Sequence, residues 1–350
     1  MAVTLAQYTD YLLSTPKYAT ATGMSRAYQG AFPHDQVTYL LTSSYFDSRT
    51  LWRAAKPLIR KTVAAGDDSG VLIVDDSIVD KPHSEENALI NWHYDHTRGR
   101  AVKGINFMTV LYSYGEQLQL PLQVHLVEKT ESYFNKKRDK WALRSKRTKN
   151  AHLLDMLRVC TGQVDFRYIL ADSWFASAAT FRYIRRELGK HAIFALKSNR
   201  KVLVEGAEDY MAIDQLADWP EQQPLRVRLN GYAEPVLIVR QVFKNGDGSR
   251  GVLYLVCTDL TLDWEQITTL YKKRWKVEVY HKSLKQHTAL AGSPTKNIDT
   301  QSNHFFAAIA AYIKLEKMRL LLGGNHFKIM SALTDIAVIA TLNHLQNLTA

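Results

Sequence analysis

The sequence has 350 residues, about twice the length of a typical domain, so we expect two structural units or one large domain with an insertion. Hydrophobic residues make up 46% and charged residues 23%, close to ordinary globular usage, which argues against a disordered or fibrous chain. Lysine and arginine outnumber aspartate and glutamate by 45 to 34, and the net charge of +11 favours a polyanionic partner.

We expect neither export nor membrane insertion. The longest uninterrupted apolar run, residues 305–313, is too short to span a bilayer, and the first ten residues lack a basic region followed by an apolar one. The two cysteines, Cys160 and Cys257, exclude a disulfide framework and a cysteine-rich zinc site, and they fit a reducing compartment. No phosphate-binding glycine motif occurs, so no nucleotide partner is expected.

In chain order, residues 1–66 are helical and mixed in polarity, with helices predicted at 36–45 and 48–64, and a turn cluster at 66–70 ends this unit. An alternation of strands and helices follows. The predicted elements are strands at 71–74, 102–114 and 117–127, a helix at 149–160, a strand at 166–171, a helix at 176–188 and a strand at 192–196.

Short β-like pieces alternate with turn signals from residue 199 to about 256, which predicts a mostly β insertion. Helices return at 262–288, 303–322 and 327–345. The predicted division is a helical N-terminal unit (1–66), the first part of an α/β core (67–198), the insertion (199–256) and the second part of the core (257–350).

The excess positive charge lies in two segments. Residues 131–150 contain eight basic and two acidic side chains, and residues 270–290 contain six basic and one acidic side chain. These segments together account for the whole net charge. Concentrated positive charge suits the phosphate backbone of a nucleic acid, although a solvated surface explains either segment equally well when it is taken alone.

The predicted helix 262–288 carries a carboxylate among cations. At 3.6 residues per turn, five residues lie within about 40° of one line along the helix. They are Tyr271, Arg274, Glu278, Lys282 and Lys285. A salt-bridged surface helix also explains this stripe, because Glu278 has a cation four residues before and after it. A separate apolar face, suited to packing, consists of Val277, Tyr280 and Leu284.

Two aspartates end apolar runs: Asp75 follows Val71–Val74, and Asp172 follows Tyr168–Ala171. A carboxylate at the end of a buried strand is costly to desolvate unless it meets a cation, and sites in α/β proteins form at such strand ends. A cap or turn role is the commoner explanation for either aspartate alone. Together with Glu278, however, the pair favours a site for two Mg²⁺ ions, which prefer oxygen ligands.

With these residues in place, the sequence resembles the DDE transposases of bacterial insertion sequences. The order of elements, the β insertion and the glutamate helix resemble their ribonuclease H-like core over about residues 70–290. The Y-x2-R-x3-E-x6-K signature of one large subgroup is matched by Tyr271, Arg274, Glu278 and Lys285. The fold that the resemblance implies is α/β: a ribonuclease H-like mixed sheet with flanking helices, a mostly β insertion and a helical N-terminal unit.

The resemblance also implies an activity: metal-dependent DNA cleavage at the element ends, with a hairpin intermediate, and strand transfer into target DNA. The implied catalytic and metal-binding residues are Asp75, Asp172 and Glu278, with two Mg²⁺ or Mn²⁺ ions. The implied DNA contacts are Tyr271, Arg274, Lys282 and Lys285. A homodimer on paired double-stranded ends, end recognition by the N-terminal unit, and a location in the bacterial cytoplasm at the nucleoid are expected on the same ground.

Several alternatives stay open. Asp76 directly follows Asp75 and could be the first metal ligand instead. A ribonuclease H-like nuclease or resolvase would cut DNA without joining it. A catalytically silent DNA-binding remnant is a third candidate, which the three site carboxylates disfavour. The tryptophans near these motifs, Trp174, Trp219 and Trp275, are interpreted as packing residues.

Overall fold

The computed structural model describes residues 2–15, 18–136, 139–216, 219–220, 222–244 and 246–349. Lys137 and Arg138, two members of the first basic segment, lie outside the described residues. Within the described ranges, no helix combines the length and the apolar character needed to cross a membrane.

The helices are α1 (Leu5–Ser14), α2 (Ala21–Ala27), α3 (His34–Ser43), α4 (Ser48–Thr62), α5 (Lys149–Thr161), α6 (Ala178–Arg182, followed by a π-helical turn Tyr183–Glu187), α7 (Trp264–Lys272), α8 (Lys276–His287), α9 (Ile298–Leu322) and α10 (His326–Thr349). The strands are β1 (Val71–Asp80), β2 (Asn91–Asp95), β3 (Arg100–Tyr114), β4 (Leu118–Leu126), β5 (Glu131–Asn135), β6 (Lys140–Arg144), β7 (Tyr168–Ala171), β8 (His191–Leu196), β9 (Lys201–Val204), β10 (Met211–Ala212), β11 (Leu225–Leu229), β12 (Pro235–Lys244) and β13 (Arg250–Cys257).

The chain forms two compact units. The first unit comprises Met1–Thr62, Ile78–Asn106 and Val279–Ala350, and the second comprises Val63–Ser77 and Phe107–Glu278. The carboxylates of the predicted triad all belong to the second unit.

A mixed sheet forms the second unit. Strand β7 pairs in parallel with β1 on one side and with β8 on the other. Strand β3 lies beside β1 and pairs antiparallel with β4, and helix α5 packs on β4. The order β4–β3–β1–β7–β8, with the fully buried Val71–Val74 at its centre, is the ribonuclease H-like arrangement. The predicted fold class is therefore confirmed.

The strands of the predicted insertion continue the same sheet. Strand β13 pairs antiparallel with β8, and β12, β11, β9 and β10 follow in that order. Trp219 is buried within this part and stacks on Tyr254, as expected of a packing residue. The mostly β character predicted for residues 199–256 is confirmed, and its treatment as a separate domain stays a prediction.

The predicted helix 262–288 is not continuous. Helix α7 ends at Lys272, Lys273–Trp275 form a 3₁₀ turn, and α8 begins at Lys276. A 3₁₀ turn has about three residues per turn instead of 3.6, so the helix is overwound here, but Arg274 still contacts both Tyr271 and Glu278. Trp275 in the turn is 66% exposed, so its interpretation as a packing residue is wrong, whereas Val277 is buried as predicted.

Helix α9 forms the centre of the first unit, where it contacts α1, α3, α4 and α10. The buried Asn303 side chain donates hydrogen bonds to the backbone carbonyls of Leu41 and Ser44. The buried Tyr8 and His304 side chains also share a hydrogen bond of 2.8 Å. The N-terminal helices are therefore packed on a C-terminal helix, and their proposed role in end recognition stays a prediction.

Candidate active site

The register of the sheet brings two aspartates to one edge. In the parallel pairing of β1 with β7, Val74 lies opposite Ala171, so Asp75 and Asp172 occupy the next positions of neighbouring strands. Parallel strands lie about 4.8 Å apart, so the two carboxylates share the edge at which both buried runs end. Asp75 is 9% exposed and Asp172 is half-buried.

Arg274 and Glu278 complete this cluster from the helical side. The Nη1 atom of Arg274 lies 3.7 Å from Oδ2 of Asp75 and 3.6 Å from Oε1 of Glu278. Carboxylate oxygens of Asp75 and Glu278 lie within 4.8 Å of each other. The 3₁₀ turn presents Arg274, and the first turn of α8 presents Glu278. An ion pair joins Lys276 to Glu116 at 2.7 Å and fixes the start of α8 to the turn after β3.

The charges of the cluster are not balanced by its own cation. Burial raises the pKa of Asp75 to about 7, Arg274 acts in the opposite sense, and the nearby Glu278 and Asp172 raise this pKa further. Burial also raises the pKa of Asp172, against the hydrogen bond that its carboxylate accepts from the Trp174 N–H. Carboxylates that are crowded and desolvated in this way would be stabilised in the charged form by a divalent cation.

The predicted metal ligands therefore fit the ion that the sequence implies. Asp75, Asp172 and Glu278 offer only carboxylate oxygens, which Mg²⁺ prefers. His281 lies three residues after Glu278 in α8, on the same side of that helix. The sequence alone favours an ordinary surface or hydrogen-bonded role for His281 over a contact with phosphate, although its i,i+3 spacing from Glu278 is a visible signal.

The other residues predicted to contact DNA lie on helices α7 and α8. Tyr271 at the end of α7 is buried, and the guanidinium carbon of Arg274 lies 5.9 Å from its ring centroid. Burial raises the pKa of Tyr271 to about 12, so its phenol is a neutral group. Lys282 and Lys285 lie further along α8, in the first unit, and both side chains are exposed.

The structure gives the adjacent aspartates different partners. The carboxylate of Asp76 lies 2.5 Å from Nζ of Lys149 at the start of α5, whereas Asp75 lies beside Arg274 and Glu278. Asp76 still acts electrostatically on Asp172, whose pKa it raises. The lysine partner of Asp76 could not be foreseen, because 73 residues separate the pair and no local pattern connects them.

Comparison with protein families identifies the group to which this geometry belongs. The family model described as DDE superfamily endonuclease matches residues 2–220, more than half of the chain. The chain belongs to the DDE endonuclease superfamily. A second family model, described as Transposase DDE domain, matches residues 142–314 of this DDE protein. The first match includes Asp75 and Asp172, and the second includes Asp172 and Glu278. A search of curated proteins finds no match.

Proposed function

We propose that this DDE protein is the transposase of a bacterial insertion sequence, from the subgroup with the Y-R-E-K signature. In this proposal it cuts DNA at the ends of its element and joins the ends to target DNA. The observation that carries the proposal is the cluster of Asp75 and Glu278 around Arg274, with Asp172 at the adjacent strand end. The two family matches support a DNA-cleaving transposase domain in the same part of the chain.

The proposed metal ligands are Asp75, Asp172 and Glu278, which would hold two Mg²⁺ or Mn²⁺ ions. Such ions, when bound, make a nucleophile of water or a 3′-hydroxyl at neutral pH and stabilise the leaving oxygen. The carboxylates of this chain would position that charge at the edge of the sheet where β1 and β7 end. No covalent link between enzyme and DNA is required, because catalysis of phosphoryl transfer is mainly positioning and charge stabilisation.

The cationic residues would hold the DNA. Arg274 lies between Asp75 and Glu278, where its guanidinium can also bind a phosphate oxygen, and the Tyr271 ring holds it in place. Lys282 and Lys285 on α8 would contact phosphates further along the strand. These contacts would supply the part of the DNA affinity that weakens as salt increases.

The proposal includes a homodimer that holds two element ends. Helix α10 supports it, because three apolar side chains on one side of this helix are at least half exposed: Val338, Ile339 and Leu342. A continuous apolar face of this kind is typical of a surface that packs against another chain.

The direct test is cleavage of DNA that carries the inverted repeats flanking the coding region. The full chain should nick this DNA with Mg²⁺ or Mn²⁺ and not with a chelator present. Asp172→Asn and Glu278→Gln should each lower the nicking rate on the order of 100-fold or more while the thermal unfolding curve stays cooperative. Full activity of both variants would reject the proposal, and nicking without strand transfer would assign the protein to the non-joining nucleases.

A further inference from the structure

A basic pocket lies next to Asp172, at the same edge of the sheet. It has a volume of about 290 Å³ and is formed where β7 and β8 end and where β9 begins. One of its lining residues is Ser173, which directly follows Asp172. Its other polar lining residues are Lys197, Asn199, Arg200, Lys201 and Asn230.

The pocket is strongly cationic. Lys197, Arg200 and Lys201 line it, and none of the described lining residues is acidic. None of these three cations forms an ion pair with a carboxylate of the described part of the chain. A partly buried guanidinium that lacks an anion is costly, and a bound anion would offset this cost.

The backbone around the pocket holds its cations in place. The Arg200 N–H donates to the carbonyl of Lys197 at 3.0 Å, and the Asn230 N–H donates to the carbonyl of Lys201 at 3.1 Å. The Arg200 guanidinium donates through Nη2 to the Asn230 carbonyl at 3.3 Å, whereas its buried Nε has no hydrogen-bond partner among the described residues. Nη2 of Arg200 is thus held by Asn230, and Nε remains able to donate a hydrogen bond to a bound group.

Trp174 positions Lys197, another of the three cations. Its ring is 50% exposed, so its interpretation as a packing residue is wrong, and Nζ of Lys197 lies 5.8 Å from the ring centroid. A cation held over an aromatic face keeps its remaining donors available to an anion.

We propose that this pocket binds a backbone phosphate of the DNA strand, close to the phosphate that reacts at Asp172. The inference rests on the proposed function, because it assigns a DNA contact to the same site. Arginine and lysine side chains are the usual partners of DNA phosphates, and such contacts position the strand without reading its sequence. The pocket would thereby fix the strand relative to the carboxylates of the sheet edge.

The test is the salt dependence of DNA binding, measured with the full chain and a labelled duplex, with a chelator present so that no strand is cut. The logarithm of the affinity falls with the logarithm of the salt concentration by about 0.9 for each neutralised phosphate. Arg200→Gln and the double substitution Lys197→Gln, Lys201→Gln should each reduce this slope by about 1. Lys190→Gln is the matched control, because Lys190 precedes β8 at the opposite edge of the sheet.

The outcomes separate this inference from the proposed function. The double variant changes only exposed side chains, so it keeps the test valid even if Arg200→Gln fails to fold. If the wild-type chain cuts DNA but both variants keep the slope of Lys190→Gln, the pocket assignment is wrong and the proposed function stands. If the slope falls as expected while the wild-type chain never cuts DNA, the pocket is supported and the proposed function fails.

Discussion

Asp75 is the residue on which the proposed chemistry most depends. It is buried, it lies within 4.8 Å of the Glu278 carboxylate, and the Arg274 guanidinium is shared between these two acids. Such an arrangement is unfavourable for the metal-free protein, since like charges in a low-dielectric site repel each other. A bound cation would relieve this repulsion, which is the role that the proposed function gives to Asp75.

The two adjacent aspartates provide a matched pair of substitutions. Asp75→Asn should remove most of the stabilisation that Mg²⁺ gives to the folded protein, which for a bound ion is about 2.7 kcal/mol at 100 times its Kd. Asp76→Asn removes the same charge from the next residue and breaks the pair with Lys149, so it should keep most of the effect. Thermal unfolding with and without Mg²⁺ measures the stabilisation that the ion gives to each variant.

The nicking assay should rank these variants in the same order, with the larger loss for Asp75→Asn. The reverse order in both measurements would assign the first ligand to Asp76.

At the scale of the elements, sequence patterns predicted best where the signal is a contiguous apolar run. Strands β1, β7 and β8 are such runs and were predicted within a few residues, although β1 continues to Asp80. The strands predicted at 102–114 and 117–127 are β3 and β4, and Gly115 between them adopts the positive φ of 52° that a tight turn requires.

The hairpin β5–β6 was not predicted, because its sequence is dominated by charge and its strands bury no continuous face. A usable signal was present. Phe134 and Trp141 lie directly opposite each other, with ring centroids 5.7 Å apart, and aromatic cross-strand pairs of this kind stabilise hairpins.

The candidate site could be predicted only in part. The strand-end positions of Asp75 and Asp172 follow from local pattern, whereas the approach of Glu278 to Asp75 spans some 200 residues and was expected only through the family resemblance. The 3₁₀ turn that presents Arg274 has no marker in the sequence, since Lys273–Trp275 is compatible with a regular helix.

The contact between α1 and α9 should make stability depend on pH. Burial lowers the pKa of His304 to about 4, while the hydrogen bond to the Ala289 carbonyl acts in the opposite sense. With Nε2–H donating to that carbonyl, Nδ1 accepts the Tyr8 hydroxyl, and the ring is neutral. The unfolded chain takes up a proton near pH 6.5 and the folded chain only near pH 4, so stability is complete above 6.5 and is lost between these values.

The expected loss is on the order of 3 kcal/mol, measured as the free energy of unfolding by denaturant at a series of pH values. His304→Asn should flatten the pH dependence in this window. His83→Asn, which changes an exposed histidine, should leave it unaltered. An equally steep dependence in His304→Asn would show that other groups cause it.

At the scale of the whole molecule, the exposed apolar side of α10 is the feature most relevant to assembly. Leu342→Asp should convert the proposed dimer into a monomer, because it places a charge in the centre of the Val338, Ile339 and Leu342 surface. Light scattering of the full chain measures the mass, and circular dichroism checks that helix content is kept.

His344→Asp is the control for this experiment, since the exposed His344 lies on the opposite side of the same helix. A wild-type chain that is monomeric both alone and on DNA, or a dimer that survives Leu342→Asp, would contradict this role of α10.

The continuation of the sheet beyond β8 has a consequence for aggregation. Without β13, strand β8 would present a row of unpaired backbone N–H and C=O groups along hydrophobic residues, the kind of boundary on which foreign chains pair and aggregates grow. The added strands move this boundary outward to β10, which is only two residues long and offers almost no template. The segment 199–256 thus covers the edge of the core sheet that it extends and protects that edge from pairing with other chains.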